Sequence, residues 1–164
     1  MSQDTEAVKA IARRSLEESF ANGDVEAFRA ALRPDCVNHE APEGADRGVD
    51  GMVRTMLWLK GAFSDRRYEI HQVIGEGDTV VVFCTFHGRH TGEFMGLAPT
   101  GRPFAFRQVH LIRFQDGKGV EHWAVRDDLA LLRQLGALPD QPARPVPADV
   151  GKEAAGVEDV VLSG

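Results

Sequence analysis

Cysteine is scarce in this sequence of 164 residues, and long apolar runs are absent. Its two cysteines, Cys36 and Cys84, lie far apart and form no C-x-x-C pair, which argues against a disulfide framework and against a zinc ribbon. No apolar run approaches the roughly 20 residues that a membrane-spanning helix needs. The first six residues are polar and acidic, unlike a signal peptide. We therefore expect a cytoplasmic protein that does not associate with a membrane.

The sequence also lacks an excess of positive charge and the common cofactor motifs. Its 19 basic and 25 acidic residues give a net charge of −6, which argues against a nucleic-acid partner. No G-x-G-x-x-G motif follows a predicted strand, and no G-x-S-x-G motif occurs. His87 and His90 are predicted to lie on opposite faces of one strand, so they do not form a metal site. We expect no metal and no cofactor.

Apolar residues first recur with the period of a helix. One amphipathic helix is predicted to begin after Asp4 and to end at Asn22 and Gly23. Asp24 is predicted to cap a shorter second helix. A loop is predicted over residues 36–47, and a third helix over residues 49–63.

From Tyr68 onward the apolar period changes to two, which predicts strands. Helices followed by antiparallel strands indicate an α+β fold, with a curved sheet wrapped over helices into a cone that is open at one end. This domain is predicted to span residues 1–136. Residues 137–164 contain four of the eight prolines and are predicted to form an acidic, extended tail. The strands are predicted at residues 68–74, 79–90, 104–114 and 120–126, and a short closing helix at residues 129–135.

Two polar side chains interrupt the apolar face of the third predicted strand. Gln108 and His110 share that face with phenylalanines and Ile112, so they need hydrogen-bond partners or a ligand. His110 is therefore a candidate site residue, with a fully hydrogen-bonded core histidine as the equal alternative.

The last strand carries a tryptophan and an aspartate on one side. Trp123 is predicted to face the pocket because of its apolar area, and Asp127 shares its parity. Loss of solvent beside an indole raises the pKa of a carboxyl group and makes it a better general base. In the alternative, Asp127 caps the closing helix or pairs with Arg126 or Arg133, although Asp128 is the expected cap.

Several segments together resemble the SnoaL-like polyketide cyclase family over roughly residues 5–137. The resemblance implies the cone-shaped α+β barrel of the nuclear-transport-factor-2-like superfamily, usually as a dimer or a tetramer. It also implies ring closure of a hydrophobic polyketide ester by an intramolecular aldol reaction without metal or cofactor. The matching segments are residues 20–24, 38–40, 88–102, 113–118, 121–123 and 127–136.

The resemblance also implies roles for individual residues. The acid/base aspartate of the family, four residues after the tryptophan, corresponds to Asp127, and His110 is the second catalytic candidate. The residues expected to bind substrate are His39, Trp58, Phe94, Met95, Gln108 and Trp123. Relatives on the same fold leave open a protein that binds a small molecule without turnover, a hydroxylase, an isomerase or an epoxide hydrolase.

Overall fold

The computed structural model describes residues 4–139, so the predicted tail lies outside the described residues from Asp140 onward. A single chain is present, and the expected dimer or tetramer stays a prediction. The helices are α1 (Thr5–Arg14), continued by a π-helical segment (Ser15–Phe20), α2 (Val25–Ala30), α3 (Val49–Ala62) and α4 (Asp128–Gln134). The strands are β1 (Leu32–Asn38), β2 (Phe63–Glu76), β3 (Thr79–His90), β4 (Pro103–Gln115) and β5 (Lys118–Arg126).

The five strands form one sheet in the order β1-β5-β4-β3-β2. Neighbouring strands from β2 to β5 pair antiparallel, and β1 pairs parallel with β5. The α+β fold with a curved sheet is confirmed. Strand β1 occupies part of the segment that the sequence indicated as a loop, so that expectation was wrong.

Side-chain caps set the starts of the first two helices, as predicted. The Asp4 carboxylate accepts hydrogen bonds from the backbone N–H groups of Glu6 and Ala7, and Asp24 accepts one from Ala27. The first helical stretch ends at Gly23, whose φ of 70° lies in the left-handed region that glycine adopts without strain.

Two apolar clusters form the core. The larger one packs α1 and α4 against the concave face of the sheet, and the smaller one joins α2, α3 and β1. Between them the cone encloses a cavity. Fully or nearly fully buried members include Val8, Phe63, Val82, Phe86 and Leu135 in the first cluster, and Cys36 and Met56 in the second.

A register shift interrupts the β4–β5 hairpin. Beside the turn, Gln115 pairs with Lys118, but from Arg113 onward the pairing has moved by one residue because Val120 is inserted into β5. A bulge of this kind exchanges the two faces of the strand beyond it. It therefore decides which residues of β5 face the cavity.

Candidate active site

The cavity inside the cone has a volume of about 580 Å³. This is the size of pockets that hold small organic ligands. Its walls are mainly aromatic and aliphatic, and the sheet contributes Phe86, Phe106, Ile112 and Phe114. An apolar ligand with several rings is the kind of molecule that such walls favour.

Aromatic residues form the rim of the cavity. Trp58 of α3 stacks on Phe94 with ring centroids 4.9 Å apart, and 44% of Trp58 remains exposed. Met95 comes directly after Phe94, has a backbone φ of 51° and is 70% exposed. All three line the cavity, as the sequence analysis expected. They are positioned to cover the apolar face of a bound ligand.

A chain of four polar side chains crosses the cavity wall. His110 Nδ1 lies 3.0 Å from His122 Nε2, and His110 Nε2 lies 2.8 Å from Gln108 Oε1. His122 Nδ1 lies 2.9 Å from Asn38 Oδ1. The chain therefore runs Asn38–His122–His110–Gln108 and joins β1, β5 and β4 in the region where all four residues line the cavity.

Burial keeps both imidazoles of this chain neutral at neutral pH. Loss of solvent, followed by the neighbouring His122 and Arg126, holds the pKa of His110 well below its usual 6.5. Loss of solvent, followed by Arg126 and His39, lowers the pKa of His122 to about 4. Both imidazoles are therefore unprotonated and able to accept a proton at neutral pH, and the same burial makes each a weaker base than a free imidazole.

The number of N–H hydrogens limits how these four side chains can be hydrogen-bonded to one another. Its three contacts need three N–H groups, and two neutral imidazoles supply two. In the neutral state one amide must therefore turn its NH₂ group toward an imidazole. A pair that has gained one proton supplies the third N–H group, and both amide oxygens can then accept.

Two further polar groups face the cavity, and neither has a side-chain hydrogen bond or an ion pair within residues 4–139. Arg126 of β5 pairs in register with Gln108 of β4 and lines the cavity beside the histidines. The Tyr68 side chain enters from β2, with its ring centroid 6.3 Å from that of His110. No sequence pattern predicted a catalytic or substrate-binding role for Tyr68, Arg126 or His122.

The structure corrects three of the predicted site positions. Asp127 is exposed, and its carboxylate accepts a hydrogen bond from Ala130 N as the cap of α4, a place expected for Asp128. Trp123 stacks on His39 with ring centroids 4.5 Å apart. None of Asp127, Trp123 and His39 belongs to the residues that line the cavity. The expectation that Trp123 faces the pocket was wrong, and the roles expected for Asp127 and His39 stay predictions.

The bulge in β5 explains the error. If the pairing at the turn continued unbroken, Trp123 would lie opposite His110 on the cavity face. The extra residue instead brings Ala124 opposite His110 and His122 opposite Ile112. A sequence signal existed in Gly119 and Val120, because a glycine next to a hairpin turn is a common place for a bulge.

The acidic residues of the cavity wall do not contact the two histidines. Asp46 binds Arg54, and Glu121 binds Arg113 and His39. The others, Glu40 and Asp128, are exposed. Within residues 4–139, the hydrogen-bond partners of the histidine pair are thus an amide at each end and no carboxylate.

The cavity offers no activated thiol from either cysteine. Cys36 lines the cavity, and burial raises its pKa to about 11. Burial raises the pKa of Cys84 to about 12. Both are thiols at neutral pH, and a thiol is a poor nucleophile.

Across residues 4–139, no group of three or more His, Cys, Asp or Glu side chains is placed to hold a metal ion. None of the helices in that range is both long enough and apolar enough to cross a membrane.

Two characterised proteins that are similar to this chain are both named as methyl ester cyclases. The chain is 33% identical over 125 residues to aklanonic acid methyl ester cyclase AcmA from Streptomyces galilaeus, covering 75% of this chain and 87% of that protein. It is 32% identical over 120 residues to nogalonic acid methyl ester cyclase from Streptomyces nogalater, covering 72% and 90%.

Two solved structures also resemble this chain. TsrD from Streptomyces laurentii has a TM-score of 0.76 at 29% identity, covering 83% of this chain and 99% of that one. AclR from Streptomyces galilaeus, a proposed hydroxylase, has a TM-score of 0.76 at 33% identity, covering 85% and 87%. The profile of the SnoaL-like polyketide cyclases matches residues 10–135. The chain belongs to the SnoaL-like polyketide cyclase family of enzymes.

Proposed function

We propose that this enzyme closes a carbon ring in an aromatic polyketide methyl ester by an intramolecular aldol addition, with His110 as the general acid/base. The hydrogen-bonded pair of His110, which is buried, and His122, which is partly buried, in the wall of an apolar cavity is the observation that carries this proposal. The names of the cyclases similar to this chain support the substrate class.

The reaction divides into three steps. Neutral His110 removes a proton from a methylene group that lies between two carbonyl groups, which leaves an enolate. The enolate carbon attacks a second carbonyl of the same molecule, so one carbon–carbon bond forms and that carbonyl becomes an alkoxide. The imidazolium returns the proton to the alkoxide, so the product is an isomer of the substrate. Confinement in the cavity aligns the two reacting carbons and lowers the entropic cost of their meeting.

The hydrogen-bonded chain gives the transferred proton a place to reside. After His110 gains a proton, the two imidazoles together hold three N–H groups, one for each contact in the chain. Both amide oxygens of Asn38 and Gln108, which lie within hydrogen-bond distance of the rings, can then accept. Because Gln108 occupies His110 Nε2 in this structure, the substrate must displace its amide to reach that nitrogen.

Asp127 was predicted to be the acid/base, and its catalytic role stays a prediction. Its position as the exposed cap of α4 favours His110 for this task. Asn caps a helix about as well as Asp does, so Asp127→Asn removes the charge and keeps the cap. This substitution separates the two assignments without disturbing the fold.

The experiment is turnover of aklanonic acid methyl ester and nogalonic acid methyl ester, followed by chromatography of a product of unchanged mass. We expect His110→Asn to lower kcat by about a hundredfold or more, the usual contribution of a general base. His71→Asn is the matched control, because His71 binds Thr85 outside the cavity. Full turnover by His110→Asn would refute the assignment.

A protein that binds its ligand without turnover is the second candidate function. It is favoured by one observation: every ring nitrogen of His110 and His122 already has a partner, as in a fully hydrogen-bonded core. In that case neither ester is converted, and His110→Asn leaves the affinity for both within about threefold.

A further inference from the structure

Arg126 is one of two arginines of the cavity wall within residues 4–139, and it differs from the other because its charge has no partner there. No carboxylate within residues 4–139 forms an ion pair with it, and no side chain there forms a hydrogen bond with it. Arg54, the other arginine of the cavity wall, is held by Asp46 at 2.6 Å. The Arg126 guanidinium is half-buried and keeps its donors available to the cavity.

The Tyr68 hydroxyl is a second available donor. Tyr68 is 8% exposed and lines the cavity, and its hydroxyl has no hydrogen-bond partner among the described side chains and backbone groups. Burial raises the pKa of Tyr68 above its usual 10, so the phenol stays protonated and able to donate at neutral pH.

An unpaired charge and an unpaired hydroxyl in an apolar cavity are costly unless a ligand compensates them. A guanidinium and a phenol are both donors, so they fit an oxygen that only accepts. We propose that Arg126, with Tyr68 as a second donor, binds an anionic oxygen of the substrate. This inference adds a binding role to the proposed function, and it rests on that proposal for the claim that the cavity binds the substrate.

Two chemical groups would supply such an oxygen. One is a carboxylate that the substrate already carries when it binds. The other is the enolate that forms when His110 removes a proton, in which case Arg126 stabilises charge that develops during the reaction. Either anion offsets the positive charge of Arg126 near His110 and His122, and so favours the protonated histidine pair.

Binding to a matched pair of probes tests the carboxylate. Anthraquinone-2-carboxylate and its methyl ester have the same ring system and differ by one charge. Titration of each is followed by tryptophan fluorescence, since Trp58 lies at the rim. We expect the wild-type protein to prefer the acid by about tenfold or more, the strength of one charge-assisted hydrogen bond. Arg126→Gln removes this preference, and Arg126→Lys retains part of it.

Arg107→Gln is the matched control. Arg107 precedes Gln108 on β4, is exposed on the opposite face of the sheet and does not line the cavity. Its substitution removes the same charge from the same part of the molecule. If the acid preference persists in Arg107→Gln, the change in net charge is excluded as the cause of the loss in Arg126→Gln.

Turnover of the methyl esters tests the enolate. If the wild type has no preference for the acid probe, Arg126→Gln is expected to lower kcat about tenfold or more with KM unchanged, and Arg126→Lys to restore part of it. If the wild type prefers the acid and Arg126→Gln loses that preference, but the wild type converts neither ester, the cyclase proposal is refuted and the anion site is supported. The inference is overturned if Arg126→Gln changes neither the acid preference nor kcat beyond about twofold, or if the wild type shows neither preference nor turnover.

Discussion

The depressed pKa values of the histidine pair predict that the protein loses stability in mild acid. In the unfolded chain His122 takes up a proton near its usual pKa of 6.5, whereas in the folded protein it does so only near 4. Between these values the unfolded state binds more protons, so the free energy of unfolding falls as the pH falls. The contribution is fully present above pH 6.5 and decreases as the pH approaches 4.

The size of the effect follows from the two pKa values. Lowering the pH from about 7 to about 5 is expected to cost about 2 kcal/mol of unfolding free energy through His122 alone. His110 acts in the same direction because its pKa is also lowered by burial. The carboxyl groups whose pKa values are lowered, such as Asp46 and Glu121, have ordinary pKa values of 3.8 and 4.5 before that shift, so they add little above pH 5.

Urea unfolding at the two pH values measures this loss directly. In His122→Asn the loss should shrink by about 2 kcal/mol, since that titrating group is gone. His71→Asn, altered outside the cavity, should show the wild-type loss. An identical loss in His122→Asn and in the wild type would refute the claim that this imidazole is buried and neutral.

Three further substitutions have expected outcomes. Asp127→Ala removes the cap of α4 and should lower the free energy of unfolding by about 1 kcal/mol in urea, while Asp127→Asn should stay near the wild type; equal losses would contradict the capping role. Trp58→Ala removes the ring that stacks on Phe94 at the rim, so the Kd of the anthraquinone ester, measured by titration calorimetry because the variant lacks the reporting tryptophan, should rise by about tenfold with little change in stability; an unchanged Kd would contradict the role of Trp58 at the rim. Gly92→Ala places a Cβ inside the van der Waals radius of the Gly61 carbonyl oxygen, and should lower the thermal midpoint by several degrees, about 2 kcal/mol or more; an unchanged midpoint would show that this backbone contact relaxes freely.

Local signals in the sequence predicted most of the secondary structure. The predicted third helix over residues 49–63 corresponds to Val49–Ala62, and the predicted strand over residues 79–90 corresponds to Thr79–His90. In both cases an apolar period and its boundaries lie within one short stretch. The caps at Asp4 and Asp24 are equally local.

Features that depend on distant partners were missed. Strand β1 contains Pro34 and has no clear alternation, and it exists because it pairs with β5 about 80 residues later. The faces of β5 depend on a single inserted residue, Val120, which the alternation pattern alone does not place. Because of that one residue, Ala124 and not Trp123 lies opposite His110 on the cavity face.

The candidate site was therefore predicted only in part. Gln108 and His110 were found because polar residues on an apolar strand face need partners. Their actual partners, His122 and Asn38, come from other strands, and no pattern within β4 indicates them. Trp58, Phe94 and Met95 were expected at the cavity from the family resemblance, and they line it.

The most direct test of the account compares kcat for the methyl esters in Asp127→Asn and His110→Asn. The position of the two side chains predicts turnover within about threefold of wild type for Asp127→Asn, and a loss of about a hundredfold or more for His110→Asn. The reverse result, an active His110→Asn and an inactive, folded Asp127→Asn, would contradict the central claim that the buried histidine pair moves the proton.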